Sequence, residues 1–299
     1  VDWPPELMAL LAGESAREPP AEVRLLADAA CREAGPGTVA VLFYGSALRD
    51  REVGDRLVDL YIILDGYDGL PGSSVFRHLI RWLPPNVHYI EATDGALTAR
   101  AKYAVVSLDH LERQVARTTS NPYFWARFAQ PTGIVWSRDE TSRRRLLAVF
   151  AQASDTLLAA TRPLVTAPSS SETLWERAFH ETYRTELRSE PPGRSHTVYL
   201  AAAERYDAIA QALAGRSPEP VDPNGAARRW ARRRRIGKAL SVMRLAKAAF
   251  TFRGGADYIA WKIGRHSGVH VQLTDWHRRH PLLAGVALFW RLYRQRAFR

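Results

Sequence analysis

The order of apolar and polar positions divides this chain of 299 residues into a strand-bearing first part and a helical remainder. Leu7, Leu10 and Leu11, then Val23, Leu25, Leu26, Ala29 and Ala30, recur at helical spacings over 1–38, with a break at Pro19-Pro20 and a stop at the Gly-Pro-Gly of 35–37. They predict a helical lead-in. Apolar runs at 39–44 and 57–64 predict two strands, separated by a tight turn and a short helix. A Gly-rich turn follows at 65–74, then a helix over 75–83 that Pro84-Pro85 stops. Residues 87–92 (VHYIEA) and 101–107 (AKYAVVS) are further strand candidates.

Past residue 138 the strand pattern ceases. Arg143-Arg144-Arg145 leads into the amphipathic LLAVFAQASDTLLAAT, and a Pro- and Ser-rich segment follows. Ser169-x-x-Glu172 reads as a capping box that opens a helix with a stripe of Leu174, Ala178, Tyr183 and Leu187. Further helices are predicted over 199–213, over the basic stretch 227–250, where Trp230, Ile236, Leu240, Met243 and 245–249 face inward, and, after a Gly254-Gly255 turn, over 256–263. A last amphipathic helix, 281–299, has Pro281 in its first turn, and Leu282, Val286, Phe289 and Leu292 or Tyr293 recur along it. The expected organisation is a small mixed sheet flanked by helices (α/β, α+β) in 1–138, a mainly helical domain in 139–280, and the terminal amphipathic helix.

Candidate chemistry concentrates in 39–64, VAVLFYGSALRDREVGDRLVDLYIIL. Gly45 lets the backbone approach an anion with no Cβ in the way, and N–H groups opening the next helix favour a phosphate beside Ser46. Asp59, the one acid of an apolar strand, is suited to hold Mg²⁺ through oxygen opposite that phosphate cradle. Lys102 precedes an interior-type strand and brings a positive charge to a cleft edge. Glu91, on a strand expected to adjoin that of Asp59, is a candidate further metal ligand or base. His180 and Glu181 are adjacent on one helix and point apart, which favours a solvated or ion-paired face over a metal site.

Composition adds an anionic partner to this picture. The net charge is +11 and the pI near 10.1, and six arginines crowd 228–235. Nucleic acid, nucleotide and an acidic membrane surface all answer to that charge, with RNA competing against membrane for the arginine run. No apolar run approaches the ~20 residues that cross a bilayer, and the start lacks a basic segment followed by an apolar one, so neither a membrane span nor a signal peptide is expected. The 281–299 helix, with Trp290 near its middle, is suited to lie in the headgroup region or to pack on the protein's own core. The single cysteine, Cys31, excludes an intramolecular disulfide framework and fits a reducing compartment.

An apolar strand ending in Gly-Ser, a spacer, and an acid on the next strand resembles the nucleotidyltransferase superfamily signature, with Tyr61 where a second acid is usual. YGSALR, VDLYIIL and AKYAVVS, followed by LDHLERQV and NPYFWARFAQPTGIVW, resemble more narrowly the mitochondrial-type CDP-diacylglycerol synthases, the translocator assembly and maintenance family, which share that missing acid. The likeness spans about 39–138. Ala47, Arg49-Asp50 and Gln130-Pro131-Thr132 depart from the family pattern, while Gly45, Ser46, Asp59 and Lys102 do not. The resemblance implies a nucleotidyltransferase-type mixed sheet and an enzyme that joins CMP from CTP to phosphatidic acid, releasing pyrophosphate. It further implies Mg²⁺ as cofactor, Asp59 and Lys102 as catalytic, Gly45, Ser46 and Lys102 as nucleotide-binding, and a cytoplasmic enzyme, peripheral on the inner face of a membrane. The alternatives are another acceptor on the same fold, or a non-catalytic relative that binds nucleic acid or a partner.

Overall fold

The computed structural model describes residues 2–50, 57–70, 74–166, 169–187, 191, 193–216, 222–251 and 274. The helix expected over 256–263 and the amphipathic tail 281–299 lie outside the described residues.

In chain order the elements are α1 (Pro5–Ser15), α2 (Ala21–Ala34), β1 (Thr38–Tyr44), α3 (Ser46–Asp50), β2 (Val58–Leu64), α4 (Ser74–Trp82), β3 (Asn86–Asp94), β4 (Leu97–Ser107), α5 (Leu108–Val115), α6 (Tyr123–Phe128), β5 (Thr132–Ser137), α7 (Glu140–Thr161), α8 (Ser171–Tyr183), α9 (Arg194–Leu200), α10 (Ala203–Ala212) and α11 (Pro223–Thr251). The strands form one five-stranded mixed sheet in the order β3-β4-β2-β1-β5, in which β2 and β4 are parallel and the other pairs antiparallel. The fold is mixed α/β.

Strand alternation assigns each side chain to a face. Ala40, Leu42, Tyr61, Ile63, Ala104 and Val106 look toward a helical layer in which Trp125, Phe150, Trp175 and Trp230 are buried; this apolar cluster runs from α1 across position 139 to α11. Val41, Phe43, Leu60, Ile62, Tyr103 and Val105 look the other way, onto Val23, Leu26 and Ala30 of α2 and Ile80 of α4. With both faces covered, β2 reads as a nearly unbroken apolar run instead of an alternation. Asp59 is its one acid.

Three local expectations change. The cap of α8 is Ser170, whose side chain accepts from the Thr173 amide at 3.1 Å, one residue beyond the expected Ser169. The helix expected over 199–213 is two helices, α9 and α10, joined at Ala201-Ala202. On α11, Trp230 is buried but Met243 is exposed, because Arg233, Arg234, Arg244 and Lys247 take inward positions that the apolar residues alone were expected to fill. Glu181 is buried and ion-paired, to Arg234 at 2.8 Å, Arg177 at 3.1 Å and Arg184 at 3.7 Å, while the neighbouring His180 is exposed.

Candidate active site

The chain leaves β1 at Gly45 with φ +92°, a backbone region that side chains disfavour. Space supplies a second reason for glycine: a Cβ at Gly45 would lie 2.8 Å from Asp59 Oδ2. Bare backbone therefore lies directly against the carboxylate. Ser46 follows, exposed, at the start of α3. With only five residues, α3 sums few peptide dipoles, so the Gly45-Ser46 backbone and hydroxyl, more than a helix dipole, are what this turn offers an anion.

Register brings the other groups into line. Tyr44 pairs with Asp59 across the antiparallel β1-β2 ladder, Asp59 with Lys102 across the parallel β2-β4 ladder, and Lys102 with Tyr89 across β4-β3. Tyr44, Asp59, Lys102 and Tyr89 thus form a row across four strands, on the face that carries Tyr61. Asp59 and Lys102 are each half-buried. Of the residues singled out from sequence, the structure unites Gly45, Ser46, Asp59 and Lys102.

Glu91 does not join them, because β4 stands between β3 and β2. It pairs with Arg100, two positions before Lys102, and accepts from Arg100 Nε at 2.8 Å and from the Tyr89 hydroxyl at 3.3 Å. Two strand spacings and that two-residue offset set its Cα roughly 12 Å from that of Asp59. The expectation that its strand adjoins the Asp59 strand is corrected, and a shared ion would be out of reach of both carboxylates.

Further groups lie on the same face, of which Tyr61 was noted from sequence only as the departure from a second acid and Arg127 and Arg244 were not singled out. Tyr61, where a second acid is usual, is fully buried, with its ring 5.1 Å from those of Tyr44 and Phe128. Its hydroxyl makes no hydrogen bond of good geometry, with the Tyr123 side chain its near neighbour, and burial holds its pKa well above the usual phenol value. Arg127 on α6 donates from Nη1 to the Tyr44 hydroxyl at 3.1 Å and lies 5.3 Å from the Tyr44 ring and 4.8 Å from the Tyr123 ring. Arg244 on α11 caps the same Tyr123 ring at 4.2 Å and donates from Nε to the Pro84 carbonyl at 3.1 Å. Burial lowers the Arg244 pKa, as does the charge of Arg127. Arg127 was legible as the one charge in the aromatic YFWARF; nothing local sets Arg244 apart from the other cations of 227–250.

Two other features lie apart from this row. Glu172, Glu176 and His196 have ligand-type atoms within 4.8 Å of one another, mostly exposed, and His196 Nδ1 is already hydrogen-bonded to Glu176. An open groove of 1310 Å³, lined by Leu10, Glu14, Leu48, Gly133 and Arg205 among others, touches none of Gly45, Ser46, Asp59 or Lys102. No helix among the described residues is long and apolar enough to cross a membrane.

No protein-family model matches the chain, and no curated relative matches it. Among solved structures it is similar to a nucleotidyltransferase-like protein from Exiguobacterium sibiricum 255-15, at 12% identity over 82% of this chain and 80% of that one, with a TM-score of 0.29. A likeness of that size carries no functional weight, so the site's own geometry has to.

Proposed function

We propose that this chain is a nucleotidyltransferase that transfers a nucleoside monophosphate to an anionic acceptor, with pyrophosphate as the leaving group. The observation that carries the reading is the Gly45-Asp59-Lys102 constellation: a side-chain-free turn against a carboxylate, and a lysine in register beside it. Following the family resemblance, the substrates are CTP and phosphatidic acid and the product CDP-diacylglycerol.

The residues fit one Mg²⁺. That ion commonly binds through one or two carboxylates plus substrate phosphates and water, and Asp59 supplies such a carboxylate beside the turn. When bound, the ion neutralises charge that develops on the phosphates. The chain's residues do the positioning. Gly45 and Ser46 receive the distal phosphates through backbone N–H and hydroxyl, and Lys102 holds nucleotide and acceptor anions together against their repulsion. The acceptor oxygen then attacks the α-phosphorus in line, and the bond to pyrophosphate breaks.

A membrane-peripheral setting is part of the proposal. Four of the six arginines in 228–235, Arg228, Arg229, Arg232 and Arg235, are exposed. Positions 228, 232 and 235 recur at four and three residues and so share a helix face. Each cation near an anionic leaflet contributes about 1 kcal/mol. RNA is the second reading of that face, and sedimentation with anionic vesicles against RNA binding in the same salt separates the two.

The test of function is to incubate the protein with Mg²⁺, each labelled nucleotide and phosphatidic acid in mixed micelles, and to look for a nucleotide-lipid product. Product that requires Asp59 supports the reading. Its absence with every nucleotide, together with no Mg²⁺-dependent nucleotide binding, would sink it.

A further inference from the structure

Around Tyr44, the register partner of Asp59, α6 and α11 bring two guanidiniums to one aromatic ring. Among the described residues neither Arg127 nor Arg244 pairs with a carboxylate. The two guanidiniums approach one aromatic ring, that of Tyr123, from 4.8 and 4.2 Å. They are close enough for the charge of Arg127 to act on Arg244, and the Glu186 carboxylate acts on both. Two half-buried like charges repel more strongly than they would in water, and cation–π contact returns only part of that.

The hydroxyls around them are further donors. Tyr44 Oη accepts from Arg127, which leaves its own proton to point onward. Tyr61 is 0% exposed and its hydroxyl makes no hydrogen bond of good geometry; Tyr123 is the side chain close enough to engage it, and the charges of Tyr123, Arg127 and Tyr44 act on it. A buried hydroxyl without a partner is unfavourable by about 1–3 kcal/mol. Guanidinium forks with donors beyond those that Tyr44 and the Pro84 carbonyl accept, together with phenolic hydroxyls, have the donor set of an oxyanion with several oxygens.

We infer that Arg127, Arg244 and the hydroxyls of Tyr61 and Tyr44 form a second anion subsite, distinct from the Gly45-Ser46 turn, that takes a phosphoryl group. It rests on the proposed function only in the identity of its occupant: beside a nucleotide held at Asp59, the second phosphoryl group is the acceptor's phosphomonoester. The same chemistry would also suit a distal phosphate of the nucleotide itself. Tyr61 then stands where a second acid is usual because a carboxylate there would repel that group.

The experiment measures binding calorimetrically with two probes, glycerol 3-phosphate as the phosphomonoester and Mg²⁺-CTP as the nucleotide, on wild type, Arg244→Gln, Tyr61→Phe and Asp59→Asn. Arg244→Gln should weaken the subsite's probe roughly tenfold or more, and Tyr61→Phe roughly three- to tenfold. Loss confined to glycerol 3-phosphate assigns the subsite to the acceptor; loss confined to Mg²⁺-CTP assigns it to the nucleotide. Arg244 also docks α11, so Tyr61→Phe is the cleaner variant. It removes a hydroxyl that makes no hydrogen bond of good geometry and should raise the melting temperature of the free protein while lowering anion affinity. A higher melting temperature with unchanged affinity for both probes overturns the subsite, and so does a lower melting temperature, which would show that the hydroxyl already has a partner. If Asp59→Asn leaves Mg²⁺-CTP binding intact while Tyr61→Phe weakens glycerol 3-phosphate, the functional reading fails and the subsite stands.

Discussion

Replacing Gly45 by alanine tests the contact on which the site is built. Two separable penalties follow from the structure. A backbone at φ +92° disfavours any Cβ, by about 1–2 kcal/mol. The new methyl would also lie 2.8 Å from Asp59 Oδ2, so the carboxylate must shift, which costs roughly another 1–2 kcal/mol. The sum, about 2–4 kcal/mol, is smaller than the 5–15 kcal/mol typical of a folded domain, so the variant stays folded. In an Asp59→Ala background the oxygen is gone and only an ordinary contact to the Asp59 Cβ, at 3.4 Å, remains. Gly45→Ala should then cost only its backbone part. Urea titrations of wild type, both single variants and the double variant, with unchanged m-values, should give a coupling of about 1–2 kcal/mol. Gly45→Ala should also lose Mg²⁺-dependent nucleotide binding although Asp59 is still present. Additivity within about 0.5 kcal/mol, or unimpaired nucleotide binding, would refute the claim that bare backbone is needed against this carboxylate.

Other outcomes follow from the same packing. Asp59→Asn keeps shape and removes charge, so it should abolish turnover while circular dichroism and melting stay near wild type; activity within severalfold of wild type removes Asp59 from the metal role. A Cβ at Gly237 would lie 2.6 Å from the Thr185 carbonyl oxygen, so Gly237→Ala should push α11 off its seat and lower stability by about 1–3 kcal/mol in urea titration. Glu181→Ala leaves Arg234 and its neighbours without their buried carboxylate and should cost about 3–5 kcal/mol by the same assay. Lys247 is buried, with its ammonium donating to the carbonyls of Leu83 at 2.5 Å and Pro85 at 2.9 Å, and burial, seconded by Arg244, lowers its pKa from 10.5 to about 8. Between those values the unfolded chain binds the extra proton, so stability rises with pH across the window, by roughly 3 kcal/mol. Comparing wild type with Lys247→Met isolates that rise from the opposite contribution of Cys31, whose thiol burial raises to about 11.

The apolar runs of the chain by themselves marked four of the five strands, β5 (Thr132–Ser137) being the exception. The runs at 39–44, 57–64, 87–92 and 101–107 became β1 to β4 within a few residues, because each is a short apolar stretch bounded by a local break, such as Gly45 after β1 or Pro84-Pro85 before β3. The Gly45-Ser46 turn and Asp59 were legible for the same local reason: an acid amid apolar residues, and a glycine at a strand end, stand out in any window. Strand order was not legible. Nothing in VHYIEA says whether β3 joins β2 or β4, and that choice, made by the β3-β4 hairpin, is what separates Glu91 from Asp59. The setting of the Tyr61 hydroxyl was hidden too, since a tyrosine in an apolar strand looks the same whether or not its hydroxyl finds a partner. Arg127 and Arg244 are 117 residues apart in sequence, and only the packing of α6 and α11 over one tyrosine ring brings their charges together. Their electrostatics depend on distance and burial, which tertiary structure alone decides.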